Sequence, residues 1–138
     1  MEWKLEVVTI PVSDLDRSRD FYAEKVGFTV DIDHTANGFR FLQLTPPGSG
    51  CSIHLRKADA ERPAGSIRDL FLVVTDVRAA HDHLADHGVD VGEVQVFDSG
   101  KYRPARPGES LNLVGCSFFN DPDGNGWCVQ QIPPRAAE

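Results

Sequence analysis

His54, in "CSIHLR", and Asp69, in "IRDLFLVV", are the residues of this chain best suited to moving a proton. Imidazole titrates near neutrality, so His54 could serve as a general acid or base. The same histidine could equally be strand filling, hydrogen-bonded to a neighbouring strand. Asp69 stands two residues from Phe71, where burial would raise its pKa and make it a base; alternatively it is a polar residue paired with Arg68 or Arg56. Cys128 and Gln130 alternate along "WCVQQI", polar side chains on a face that should be apolar. Cys128 reads as a small, core-like thiol, because a nucleophilic cysteine needs an activating base and none is identifiable. His81, His83 and His87 resemble a metal cluster, yet on a helix His81 lies about 200° from His83. At a helix C-terminus they suit the dipole or solvent better than a metal. No phosphate-binding glycine motif, Ser-His-Asp order or paired-carboxylate signature is present.

The elements that must position these residues come in two copies. "VVTIPVSDLDRSRDFYAEKVGFTV" and "DLFLVVTDVRAAHDHLADHGVDV" align with Val12 and Val74, and Asp14 and Asp76, 62 residues apart. Each copy opens with a strand whose alternate residues face opposite ways. A helix follows, capped at Ser13/Asp14 or Asp76 and stopped at Gly27 or Gly88. Leu15, Phe21, Tyr22 and Val26 supply its apolar stripe. Three further strands are expected in the first copy from "FTVDID", "FRFLQLT" and "CSIHLR", and in the second from "VDVGEVQV", "LNLVGCSFF" and "WCVQQI". Each copy therefore reads β-α-β-β-β. The glycine turns "PGSG" and "DGNG" precede the last strands at an offset of 76. The second copy's extra chain falls in "DSGKYRPARPGES", residues 98–110, whose Gly, Pro and charge predict a long exposed loop. That loop carries Lys101, Tyr102, Arg103 and Arg106, a plausible lid for an anionic or aromatic ligand.

With 138 residues, 41% hydrophobic and 25% charged, the chain suits one domain with a real core. No apolar run approaches the ~18 residues needed to span a bilayer, and "MEWKLEVVTI" does not have the pattern of a signal peptide. Three cysteines without metal-type spacing favour reduced thiols, hence a cytoplasmic setting. A formal charge of −7 argues against nucleic acid as a partner.

"VSDLDRSRDFYAEKVGF" and "NDPDGNGWCVQQ" resemble the vicinal oxygen chelate superfamily, the glyoxalase, bleomycin-resistance and extradiol-dioxygenase group. The likeness runs from about Leu5 to Ile132. It implies an α+β fold in which two paired β-α-β-β-β units form a curled mixed sheet around a ligand cavity, often in a homodimer. Unit one would span about 4–56, the linker 57–67 and unit two about 68–133. The superfamily hosts lyases, dioxygenases, epimerases, thiol transferases and drug-binding proteins, so the likeness is specific for the fold and weak for the reaction.

Metal-using members place one ligand on the first and one on the last strand of each unit. The resemblance puts those positions at Val7, Ser52 (with His54 two residues on), Asp69 and Cys128. Val7 has no donor atom, and no second histidine is in place, which is wrong for zinc, nickel or iron. A three-ligand cluster of His54, Asp69 and Cys128 stays open as an alternative. The expectation is a cavity without a metal or other cofactor, lined by Val7, Thr9, Ser52, Phe71, Tyr102, Cys128 and Gln130, with His54 and Asp69 as the acid–base pair. Binding or sequestration of a drug or metabolite is the leading reading. A lyase, isomerase or cyclase using His54 and Asp69 comes next, and a metal-dependent lyase or dioxygenase third. Strand parity further predicts that Val8, Ile10, Leu70, Leu72, Ile53 and Val129 pack beneath the helices.

Overall fold

The computed structural model describes residues 1–134. It divides into two compact units: Met1–Ile67 together with Asp121–Asn125, and Arg68–Asn120 together with the chain from Gly126 onward. The fold is α+β, with one open mixed sheet per unit. Among the described residues no helix is long and apolar enough to cross a membrane.

In the first unit β1 (Val7–Val12) leads into α1 (Leu15–Asp20), which continues as a π-helix over Phe21–Val26. The Asp14 side chain accepts from the Arg17 backbone N–H and caps α1 as its residue type demands. Gly27, at φ 101°, ends the helix in the left-handed conformation, and its N–H and that of Phe28 both reach the Tyr22 carbonyl. β2 (Thr29–Ala36) and β3 (Phe39–Thr45) form a hairpin across Asn37–Gly38, both at positive φ, the geometry of a tight two-residue turn. β4 (Ser52–Lys57) pairs parallel with β1 and antiparallel with β3, giving the order β1-β4-β3-β2. Ile10, Leu42, Leu44, Ile53 and Leu55 are buried on one face, with Phe21, Tyr22 and Phe28. Val7, Thr9, Phe41, Gln43, Ser52 and His54 alternate with them and belong to the other face.

The turn "DPDGN", although it lies late in the chain, belongs to this first unit. The buried Asp121 carboxylate accepts from the Tyr22 hydroxyl at 2.8 Å, from the Asp123 and Asn125 backbone N–H groups at 2.9 Å and from the Asn125 amide at 2.8 Å. Asn125 also donates to the Pro11 carbonyl (3.0 Å) and accepts from the Ile67 N–H (3.1 Å). Asp123 accepts from the Ser13 hydroxyl at 2.5 Å and from Arg17 at 3.0 Å. The residues "SDLDRSRDFY" and "DPDGN" are thus two halves of one hydrogen-bonded cluster. Gly65, at φ 77°, passes so close that a Cβ there would meet the Asp123 carbonyl oxygen at 2.1 Å.

In the second unit β5 (Leu70–Val74) is followed by α2 (Val77–Asp86), capped by the Asp76 side chain on the Ala79 N–H. β6 (Gln95–Asp98), β7 (Lys101–Pro104), β8 (Gly115–Asn120) and β9 (Gly126–Gln131) complete a sheet of order β5-β9-β8-β6-β7. Val77, Leu84, Val96, Phe119, Trp127 and Val129 are buried in its core.

Three expectations about this unit change. Only the end of "VDVGEVQV" is a strand; Gly92 is instead held by Phe118 and Ser117, its N–H on the Phe118 carbonyl and its carbonyl taking the Ser117 hydroxyl. "LNLVGCSFF" begins as a turn, in which the Gly115 N–H bonds the Leu111 carbonyl at 2.7 Å. A side chain at Gly115 would strike Leu111 Cβ at 2.7 Å, so the turn closes only over glycine. Residues 98–110 are not a free loop. Ser99 and Gly100, both at positive φ, turn β6 into β7. Arg103 then ties the hairpin together by bonding Asp98, and anchors the chain after it by bonding Glu109 through both terminal nitrogens.

Candidate functional site: a clamped histidine on an open sheet face

β3 and β4 set Gln43 directly opposite His54, and β1 sets Thr9 on its other side. The Gln43 side-chain oxygen lies 2.9 Å from His54 Nε2. The Phe41 ring meets the imidazole edge-on, with centroids 4.5 Å apart. Thr9, Phe39, Phe41, His54 and Arg56 line a pocket of about 170 Å³ on this face, where Arg56 also stacks over the Phe39 ring at 5.5 Å. Burial, and secondarily the Arg56 charge, lower the His54 pKa below its ordinary value, so the ring is neutral at pH 7. The bond to a neighbouring strand and the capacity for acid–base or acceptor chemistry therefore coexist: one ring nitrogen is occupied and, among the described residues, the other has no partner.

Behind Gln43 a polar row continues. Its amide nitrogen is 3.5 Å from both Asp31 Oδ2 and Ser52 Oγ, the Thr45 and Ser52 hydroxyls are 2.6 Å apart, and the Thr45 hydroxyl bonds Asp31. Ser52 is buried and engaged in this row, and Val7 pairs with it in register. Sequence reasoning missed Gln43, Thr45 and Asp31. Gln43 does alternate with Phe39 and Phe41 in "FRFLQLT", but its partner is visible only once the β3–β4 register is known.

The second unit holds its own group of expected residues. Phe71 pairs with Cys128 in register, and Phe71 and Val73 are more than half exposed. Tyr102 lies between Phe97 and Phe118, each at 5.1 Å between centroids, and burial raises its pKa so that it stays a phenol. Gln130 donates to the Leu113 carbonyl at 2.9 Å. Cys128 is buried, and burial first, then the neighbouring Cys116, pushes its thiol up to about 12. It is therefore not a thiolate nucleophile at neutral pH. Asp69 precedes β5, outside the strand, with φ 61° and an exposed side chain. Strand parity does not govern it, and the burial that was to make it a base is absent. Arg103, expected in a lid, is committed to Asp98 and Glu109.

The positions that the resemblance assigns to metal ligands are divided between the two units. The first offers Val7 and an engaged Ser52, and the second an exposed Asp69 and a protonated Cys128. Among the described residues no three His, Cys, Asp or Glu side chains form a metal-binding group. The His83 and His87 rings meet tilted, with centroids 4.3 Å apart, and His87 Nδ1 bonds the His83 carbonyl, while His81 contacts Asp82.

Comparison with known proteins decides the family. The description Glyoxalase/Bleomycin resistance protein/Dioxygenase superfamily matches residues 4–129. The chain belongs to this superfamily. Among solved structures it is similar to TnmS3, an antibiotic binding protein from Streptomyces sp. CB03234, with 30% identity, a TM-score of 0.75 and 95% and 97% of the two chains covered. It is also similar to a glyoxalase/bleomycin resistance protein from the same Streptomyces strain, with 31% identity, a TM-score of 0.72 and 93% and 100% covered. UcmS2 follows at 28% identity and a TM-score of 0.71, with 94% and 98% covered. No curated protein sequence matches.

Proposed function

We propose that this superfamily member binds and sequesters a small molecule of the antibiotic class, without a metal, in the His54 pocket of the first unit. The observation that carries this reading is the pocket itself: a neutral, one-end-clamped histidine between aromatic and cationic side chains on an open sheet face. A pocket that sets the aromatic rings of Phe39 and Phe41 beside fixed polar groups suits recognition. The likeness to an antibiotic binding protein over nearly the whole chain supports it. Acid–base turnover by a lyase, isomerase or cyclase is the second reading, favoured by the His54 ring nitrogen that has no partner among the described residues. The half-exposed apolar residues Phe71, Val73, Phe97 and Tyr102 support a homodimer, and the three free cysteines suit a reducing cytoplasm.

Calorimetric titration with a panel of aromatic antibiotics tests the reading. A member of the panel should bind at one site per chain and be recovered chemically unchanged after overnight incubation. His54→Ala should weaken it at least about tenfold, the loss of roughly one hydrogen bond to a fixed group, with an unchanged circular dichroism spectrum. Conversion of the ligand would favour the enzymatic reading, and undiminished affinity in His54→Ala would move the site elsewhere.

A further inference from the structure

The Asp31 carboxylate fixes the direction of every hydrogen bond in the polar row that ends at His54. An ionised carboxylate only accepts, so the Thr45 hydroxyl must donate to it. With its proton committed, Thr45 accepts from Ser52 across their 2.6 Å contact. Ser52 Oγ and Asp31 Oδ2 are then both acceptors at the Gln43 amide, which must turn its NH₂ group toward them and its oxygen toward His54. An amide oxygen cannot donate, so His54 Nε2 carries the ring proton. Nδ1 is left as a bare lone pair, and among the described residues it has no hydrogen-bond partner. The edge-on Phe41 ring limits rotation of the imidazole.

We propose that Gln43 is a positioning residue that, braced by Asp31 and Ser52, holds His54 in the Nε2–H tautomer, so that Nδ1 selects ligands presenting a hydroxyl or N–H donor. The selection of a donor rests on the reading of this pocket as the ligand site; the tautomer does not. A phenolic or enolic hydroxyl on a flat ring fits best, because Phe39 and Phe41 offer aromatic contact and Arg56 offers a cation for an adjacent oxygen. A group with only acceptor atoms would set lone pair against lone pair at Nδ1.

The test is side-chain ¹⁵N–¹H correlation NMR of the uniformly labelled protein at pH 7.5, which distinguishes the two tautomers without any ligand. The wild type should show His54 with a protonated Nε2 and an unprotonated Nδ1. Gln43→Leu should relax this to a tautomer mixture. Asp31→Asn, which frees the amide to turn over, should do so partly, and Gln43→Glu, which retains an acceptor oxygen, should keep the Nε2 proton. A protonated Nδ1 in the wild type, or an unaltered tautomer in Gln43→Leu, would overturn the positioning role. Phenol at millimolar concentration should move the Nδ1 resonance upfield, whereas anisole, of similar shape without the donor, should not. Equal responses to both, or none to phenol, would overturn the selection while leaving the tautomer result intact.

Discussion

At the scale of single residues, the pH response of His54 follows from its surroundings. Burial and the Arg56 charge depress its pKa below 6.5 in the folded chain, so between that value and 6.5 the unfolded chain binds more protons than the native one. Its stabilising contribution is therefore whole above 6.5 and declines as pH falls through this window. Ligand affinity through Nδ1 should hold constant above neutrality and be lost as pH drops through the lowered pKa. An NMR titration of the His54 ring should inflect below the ordinary histidine value; an inflection at or above it would contradict both statements. The sequence made His54 visible as an imidazole on a strand, and the alternation of "CSIHLR" placed it on the face opposite Ile53 and Leu55. It could not reveal the clamp, because Gln43 and Asp31 come from other strands and their proximity is a matter of register. Asp69 shows the opposite failure. Its parity was extrapolated from a strand that begins one residue later, and its left-handed backbone conformation leaves no trace in composition.

Among the elements, the "DPDGN" turn acts as a keystone for the first unit. Asp121 is buried and gathers four donors, three of them from the turn itself. Tyr22→Phe removes the fourth and leaves the carboxylate less satisfied. The expected loss is about 1–3 kcal/mol, the usual consequence of deleting one partner of a buried polar group, read as a lower urea midpoint at unchanged m-value. A loss within about 0.5 kcal/mol, the ordinary effect of a surface substitution, would mean that the turn alone satisfies Asp121. The helix boundaries were legible, since Asp14, Asp76 and Gly27 act through local chemistry. The β6–β7 hairpin was not. Pro104, Pro107 and the charges in 98–110 read as loop, while the informative signal was the two-residue Ser99–Gly100 turn with Phe97 and Tyr102 facing across it. The bonds from Arg103 to Asp98 and Glu109, which order the segment, join residues that carry no joint pattern.

Across the full chain, the duplication was legible because a 62-residue offset preserves the helix caps Asp14 and Asp76 and the strand ends Val12 and Val74 even where side chains have diverged. Val7 has no donor atom at a position that the resemblance assigns to a metal ligand, and the metal-free reading proposed above rests on it. Protein purified without chelator or added metal should contain zinc, nickel, iron or manganese only far below one equivalent per chain by elemental analysis; near-equimolar metal lost on His54→Ala would contradict this. Sedimentation equilibrium should report twice the 15.2 kDa chain mass across the micromolar range, and a concentration-independent monomer would refute the homodimer. The two repeats are no longer separable inheritances. A gene half encoding residues 1–67 would yield a chain in which Ser13, Arg17 and Tyr22 have lost Asp121 and Asp123, and Pro11 and Ile67 have lost Asn125. Fission between the copies, harmless in a simple tandem array, would here strand the earlier copy without part of its own interior, so once the later copy supplied that turn the duplication could not be undone.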